Sequence, residues 1–149
     1  MIGGLREGKL APRRNVKVRS FPGATINDMK DYIRLLLKKR PFRIIVHAGT
    51  NDAVNCDAAQ IIEKLVNFKD FIKSQLDVQV IISSPINRLD NAKLATVIRN
   101  VNAKLDTSGL NLINNNNITS RHLGKAKLHL NVSGTTQLAR NILNKMKSF

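Results

Sequence analysis

Three short segments of the chain carry groups that are suited to acyl-transfer chemistry. Gly23 lies in a Phe-Pro-Gly-Ala-Thr run, Asn51 in a Gly-Thr-Asn-Asp run and His129 in a Leu-His-Leu-Asn run. The backbone N–H of Gly23 and the side-chain amide of Asn51 are donors that could jointly stabilise an oxyanion. The imidazole of His129 has the basicity that a general base needs near neutral pH. These residue types predict an oxyanion hole and a base at a single site.

Predicted strands precede these segments and would bring them to one edge of a sheet. The unbroken β-branched run that begins at Ile44 is typical of a strand covered on both faces of a parallel sheet, and the Asn51 loop follows it directly. Alternating or continuous apolar residues predict further strands at residues 15–20, 78–82 and 110–113. Ligands of parallel sheets bind beyond the carboxyl ends of the strands, which is where the candidate groups would lie.

Helices are predicted between the strands. N-caps are expected at Thr25, Asp57 and Ser133, and a further helix at residues 91–105. Residues 114–127 are polar and predict a long functional loop. The resulting order β-α-β-α-β-α-β-loop-α predicts a mostly parallel sheet with helices on both faces, a three-layer α/β/α arrangement.

Length and composition indicate one domain over residues 1–149, since neither an internal repeat nor an interdomain linker is visible. The chain has 25 Lys and Arg against 10 Asp and Glu, a formal net charge of +15. Such an excess favours contact with polyanions such as nucleic acid. The alternative is that the basic residues simply form solvated helix faces.

Several classes of protein are disfavoured by the residue content. Cys56 is the single cysteine, so an internal disulfide is excluded and an inert thiol in a reducing compartment is expected. No apolar run approaches the roughly 20 residues of a membrane helix, and no signal peptide is evident, which predicts an intracellular, cytoplasmic protein. No spacing of His, Cys, Asp and Glu suggests a metal site, and no cofactor is expected. The oligomeric state is not predicted.

The three motifs Val-Arg-Ser-Phe-Pro-Gly-Ala-Thr, His-Ala-Gly-Thr-Asn-Asp and Leu-His-Leu-Asn-x-x-Gly resemble those of the SGNH (GDSL-like) hydrolases, which are mostly esterases and acyl hydrolases. The likeness runs from about residue 15 to the C-terminus and is greatest to an animal branch often found beside mobile-element reverse transcriptases. The resemblance implies a flavodoxin-like parallel sheet and a small acyl-ester substrate. It also implies that Gly23 and Asn51 form the oxyanion hole and that His129 is the catalytic base.

The chain departs from this family at two positions. The family's nucleophile lies in a Gly-Asp-Ser motif at the end of a central first strand, and the sequence contains no such motif. Residues 1–10 instead resemble the short helix that follows that serine, so we expect the first strand to be missing. A clipped gene model and a protein that truly lacks the strand would both explain this. The second departure is Ala126, which stands where the family usually places the triad Asp.

Other polar residues have structural interpretations. His47 is expected to be a packed strand-end histidine, and His122 an exposed residue of the polar loop. Asp52 is expected to brace its own loop by hydrogen bonding. Three serines lie near predicted strand ends but are typical turn residues: Ser20, Ser83 and Ser84.

The sequence therefore predicts an esterase-like domain of SGNH type that is inactive or very weak because its nucleophile motif is absent. The alternative is a basic, non-catalytic module of a mobile-element protein that uses the same scaffold to bind nucleic acid.

Overall fold

The computed structural model describes Leu5 and residues 15–148. Helices and strands alternate along this part of the chain, and two 3₁₀ turns, Asp52–Val54 and Ser120–His122, interrupt the connections. In chain order the elements are α1 (Ile26–Leu37), β1 (Arg43–His47), α2 (Ala58–Gln75), β2 (Gln79–Ser83), α3 (Ala92–Asp106), β3 (Leu112–Ile113) and α4 (Val132–Lys147).

The three strands form one parallel sheet in the order β1-β2-β3. In β1 and β2 the register pairs Arg43 with Gln79 at one end and His47 with Ser83 at the other. The short strand β3 pairs with β2 through Ile113, which lies opposite Ser83. The predicted α/β fold with a flavodoxin-like parallel sheet is confirmed, and the sheet of the described residues is a shortened one.

Alternate residues of the strands point to opposite faces of the sheet and enter two separate cores. Val46 and Ile82 belong to a core that they share with the buried faces of α1, α2 and α3. Ile81, with the half-buried Ile45, belongs to a second core together with residues of α4 such as Leu138. The sheet is therefore the middle of three layers, with three helices on one face and α4 on the other.

Helix caps explain why the helices begin where they do. The Thr25 hydroxyl accepts a bond from the Asp28 N–H, and the Asp28 carboxylate accepts from the Thr25 N–H at 2.8 Å, which completes a capping box. Asp57 makes the same arrangement at the start of α2, so both caps are confirmed.

The expected cap of the last helix was wrong. Asn131, not Ser133, is the N-cap, because its extended backbone places Oδ1 2.9 Å from the Gly134 N–H. Ser133 already lies in the first turn of α4.

Two predicted strands also differ from the structure. Residues 15–20 do not form a strand; Val16 and Val18 pack half-buried against the second core without joining the sheet. Alternation along a sequence reports burial of one side of a segment, and a segment that is not a strand can be buried on one side as well. The strand predicted at residues 110–113 is confined to its last two residues, and the Leu110 N–H bonds to the Ser108 hydroxyl instead of a strand.

The helix predicted within residues 1–10 falls, apart from Leu5, outside the described residues. None of the described helices is both long and apolar enough to cross a membrane. The cytoplasmic location stays a prediction.

Candidate functional site

A cavity of about 290 Å³ lies beside the carboxyl end of β1. Gly23, Asn51 and His129 all line it, so the fold brings the three predicted groups to one place. Parallel strands create such a site because their carboxyl ends, and the loops that follow them, share one edge of the sheet. The site therefore sits where the sequence predicts a ligand to bind.

The Gly23 wall of the cavity is a tight turn. The Ala24 N–H donates to the Phe21 carbonyl at 3.1 Å, and the Phe21 ring stacks on Tyr32 with centroids 4.5 Å apart. Gly23 has a φ of +78°, in the left-handed region that favours glycine. A Cβ at Gly23 would meet no atom within 4 Å, so backbone strain and not lack of space disfavours a larger residue there.

Asn51 connects this turn to the loop after β1. Its Nδ2 donates to the Ala24 carbonyl at 2.9 Å, which fixes the amide next to the Gly23 turn. An amide nitrogen carries two hydrogens, and this bond uses one of them. The second hydrogen remains available to another acceptor.

The side chain of Asp52 holds the same loop against two helices. Its buried carboxylate accepts from the Ile26 N–H at 3.1 Å and from Lys64 Nζ at 3.3 Å. Asp52 therefore braces its loop by hydrogen bonding as expected, and the structure adds that its side-chain partners lie on α1 and α2. A hydrogen bond to Cys56, followed by the charge and hydrogen bond of Asp52, raises the pKa of Lys64 and keeps it cationic.

His129 reaches the cavity from a loop between the second 3₁₀ turn and α4. Its carbonyl accepts from the Gly124 N–H at 2.8 Å, and Leu123 forms an antiparallel bridge with Leu130. Ala126 is exposed in this loop. Within the described part of the chain, no carboxylate is hydrogen-bonded to the imidazole of His129, so His129 has no partner there that corresponds to the acid of a catalytic triad.

An ion pair near His129, between the buried Arg88 and the exposed Asp90, was missed by sequence reasoning. Arg88 lines the cavity and is only 9% exposed, and its Nε and Nη2 donate to the two carboxylate oxygens of Asp90 at 2.7 and 2.5 Å. The Arg88 guanidinium holds the pKa of Asp90 below its usual range, and the charge of the nearby His129 acts in the same direction. The Arg-x-Asp spacing in the sequence was the available signal, but it is common on protein surfaces.

His47 forms one wall of the cavity and begins a buried polar network. Its Nδ1 lies 3.0 Å from Ser83 Oγ, to which Asn115 Nδ2 donates at 2.9 Å. Burial lowers the pKa of His47 to about 4, so the ring is neutral at physiological pH. The structure agrees with a packed strand-end histidine. Its Nε2 is buried without a hydrogen-bond partner among the described residues.

The three serines near strand ends, which could replace the missing nucleophile, differ in how far they are buried. Ser83 and Ser84 are 0% and 4% exposed and are engaged by Asn115. Ser20 is exposed and lines the cavity. Among the serines considered as substitutes for the nucleophile, Ser20 is therefore the one with access to the site.

His122 is buried, so the prediction that it is exposed was wrong. It is 2% exposed, and its Nδ1 accepts from the Thr119 N–H at 2.9 Å. This bond closes the 3₁₀ turn and buries the ring, although the surrounding sequence is polar. No group of His, Cys, Asp and Glu that could hold a metal ion occurs in the described ranges.

No protein-family model matches the sequence, and no curated protein matches it. Solved structures do. A member of the lipolytic protein G-D-S-L family from Veillonella parvula DSM 2008 has a TM-score of 0.76 at 18% identity, with 97% of this chain and 91% of that chain covered. A lipase/acylhydrolase from Enterococcus faecalis has a TM-score of 0.67 at 20% identity, covering 85% and 72% of the two chains.

An acetyl esterase mutant that was solved with an acetate ion is similar as well. Its TM-score is 0.68 at 18% identity, with 85% of this chain and 68% of that chain covered. Likeness at this level of identity concerns the fold. The chain has an SGNH-hydrolase-like fold, shared with lipolytic G-D-S-L proteins.

Proposed function

We propose that residues 1–149 form a single acyl-ester hydrolase domain of SGNH type, with a small acyl ester as its substrate. In this proposal the Gly23 N–H and the Asn51 amide bind the carbonyl oxygen, and His129 is the base. The observation that carries the proposal is that these three groups, from distant parts of the sequence, line one cavity at the carboxyl end of a parallel strand. The lipolytic and esterase neighbours support the same reaction class.

The chemistry assigns one role to each group. His129 removes the proton of a serine hydroxyl while the serine oxygen attacks the ester carbonyl. The negative charge that forms on the carbonyl oxygen is stabilised by the donors of Gly23 and Asn51. The same imidazole then gives its proton to the departing alcohol, and water releases the acid in a second cycle.

The nucleophile is the missing component of this proposal. We propose that it belongs to a Gly-Asp-Ser strand that pairs with the edge of β1, and that the chain without this motif has little or no turnover. An oxyanion hole with a base but no nucleophile retains only residual catalysis. Ser20 is the alternative source that the cavity makes available.

Hydrolysis of p-nitrophenyl acetate tests the proposal. The 149-residue chain is compared with a chain to which any residues that its reading frame encodes before Met1 have been added. We expect turnover in the extended chain to fall by at least about 10³-fold in His129→Ala and by about 10²-fold in Asn51→Ala. Lys125→Ala, in the same loop as His129, and the exposed Asn55→Ala are matched controls that should retain activity.

An extended chain without turnover would rule out the esterase function. If the 149-residue chain itself hydrolyses the ester and Ser20→Ala abolishes that activity, the nucleophile is Ser20. The proposal that the nucleophile belongs to a Gly-Asp-Ser strand is then wrong.

A second candidate function, nucleic-acid binding, is supported by a different surface. A groove of about 560 Å³ lies beside the edge of β1 and has Lys39, Arg40 and Arg43 among its lining residues. Phe42, also in the groove wall, is 78% exposed, and the Arg43 guanidinium lies 4.7 Å from its ring centroid. Basic residues around an exposed aromatic ring are typical of surfaces that bind single strands.

Fluorescence anisotropy with a labelled single-stranded RNA tests this candidate. We expect affinity to fall steeply between 50 and 200 mM salt and to decrease in Lys39→Glu and Phe42→Ala. Lys104→Glu is the charge-matched control, because Lys104 does not line the groove. Binding that is absent, or insensitive to salt, would remove nucleic acid as a partner.

A further inference from the structure

Two arginines, Arg19 and Arg88, line the cavity, and its described lining residues include neither Asp nor Glu. The carboxylate nearest to them in the hydrogen-bond network is Asp90, which pairs with Arg88 from outside the lining. A concave wall with apolar residues focuses the field of the charges that line it, so Arg19 and the part of the Arg88 charge that Asp90 does not offset give the cavity positive character. An anionic group would be attracted to such a cavity.

Arg88 is the part of this wall that is built for recognition. A guanidinium has five N–H donors, and the two bonds to Asp90 occupy one edge of it. Within the described chain, the buried side-chain atoms without a hydrogen-bond partner are His47 Nε2 and Asn102 Oδ1. The bonds to Asp90 use Nε and Nη2 of Arg88, and Nη1 is not one of the fully buried orphans, so Nη1 is the guanidinium nitrogen left for a ligand in the cavity that Arg88 borders.

The backbone fixes Arg88 relative to the proposed base. The Leu89 N–H donates to the Lys127 carbonyl at 2.9 Å, which joins the Arg88 segment to the loop that carries His129. Asn102 Nδ2 donates to the Pro85 carbonyl at 2.9 Å and holds the same segment against α3. Two hydrogen bonds to Asp90 restrain the guanidinium, which reduces the conformational entropy that this side chain would lose when a ligand binds.

We propose that Arg88 is a specificity residue that binds a carboxylate or phosphate group carried by the ester substrate. The inference rests on the proposed esterase function and adds the substrate class, an acyl ester with an anionic substituent. The free edge of the Arg88 fork matches a pair of oxygens, as both carboxylates and phosphates offer.

Binding of small esters to the full chain, followed by NMR titration at fixed ionic strength, tests the inference without requiring turnover. The probes are monomethyl succinate, 2-acetoxyethyl phosphate and the neutral dimethyl succinate. We expect at least one anionic ester to bind about tenfold or more tightly than the neutral diester, and the better one identifies the group.

Variants assign this preference to Arg88. In Arg88→Met the ratio of affinities should fall to about one, and in Arg88→Lys it should be intermediate, because an ammonium lacks the planar fork. Arg99→Met is the matched control, since Arg99 is an exposed arginine of α3 that does not border the cavity, and it should keep the full ratio. If the Met variant does not fold, the Lys variant decides.

Equal binding of anionic and neutral esters by the wild type, or a preference that survives in Arg88→Met, would overturn the inference. Ester hydrolysis by the extended chain without any anion preference would overturn it while leaving the esterase proposal intact. Anion preference that depends on Arg88, together with no hydrolysis by the extended chain, would support the anion site and contradict the esterase proposal.

Discussion

Asp52→Ala is predicted to destabilise the domain more than any surface carboxylate substitution, because Asp52 joins three elements around the site. The substitution removes the acceptor of the Ile26 N–H, and Ile26 is 0% exposed. A buried donor without an acceptor costs about 1–3 kcal/mol of stability. Loss of a negative charge at the start of α1 adds about 0.3–1 kcal/mol. The Lys64 side chain is 28% exposed and can rehydrate, so its lost ion pair contributes at most about 1 kcal/mol. We expect a total of about 2–4 kcal/mol.

Urea unfolding measures this loss as a shift of the midpoint at constant m-value. Asp52→Asn keeps an acceptor of the same shape and should lose about half as much. Asp57→Ala is the matched control, because Asp57 is an exposed N-cap carboxylate whose removal costs about 1 kcal/mol. Hydrogen exchange of the Ile26 amide should accelerate in Asp52→Ala and not in the control. If Asp52→Ala costs no more than Asp57→Ala, the reasoning that Asp52 is a structural clamp fails.

Two further predictions concern stability. Gly134→Ala should destabilise by at least about 2 kcal/mol despite the better helix propensity of alanine, because its Cβ would lie 2.2 Å from the His122 carbonyl oxygen; Ser133→Ala is the control, and an unchanged urea midpoint would contradict the close packing. The pKa of His47 is about 4 in the folded protein and about 6.5 in the unfolded chain. As the pH falls, the unfolded chain therefore takes up the proton before the folded protein does. The contribution of His47 to stability is complete above pH 6.5 and is lost as the pH falls towards 4. Between pH 7.5 and 5 this loss is about 2 kcal/mol, and His47→Gln should remove it from the measured pH dependence; identical slopes in both proteins would refute the assignment.

Local sequence signals predicted much of the fold because they report short-range chemistry. The capping boxes at Thr25 and Asp57 are formed by residues three positions apart, so they are visible without any tertiary information. The two long strands are also predicted well, since a continuous β-branched run implies burial on both faces. Residues 15–20 show the limit of this reasoning, because alternation predicts a buried side but not a strand partner.

The residues of the candidate site also fall into those that the sequence identified and those that it did not. Gly23, Asn51 and His129 were identified from motifs, and the structure places them on one cavity. Arg88 was not identified, because an arginine is expected at the surface and only its neighbours make it 9% exposed. His122 was assigned to the surface for the converse reason, since the composition of its loop is polar.

The sequence by itself determined the order of the elements from residue 26 onwards, the caps at Thr25 and Asp57, and the residue types that could perform acyl transfer. Those properties depend on spacing along the chain, which is fixed covalently. Only the tertiary structure decided that Asp52 spans to α1 and α2, and that Arg88 is buried in the wall of the cavity that His129 borders. Burial and long-range hydrogen bonds depend on which distant segments the folded sheet and helices bring into contact, and local spacing carries little information about them.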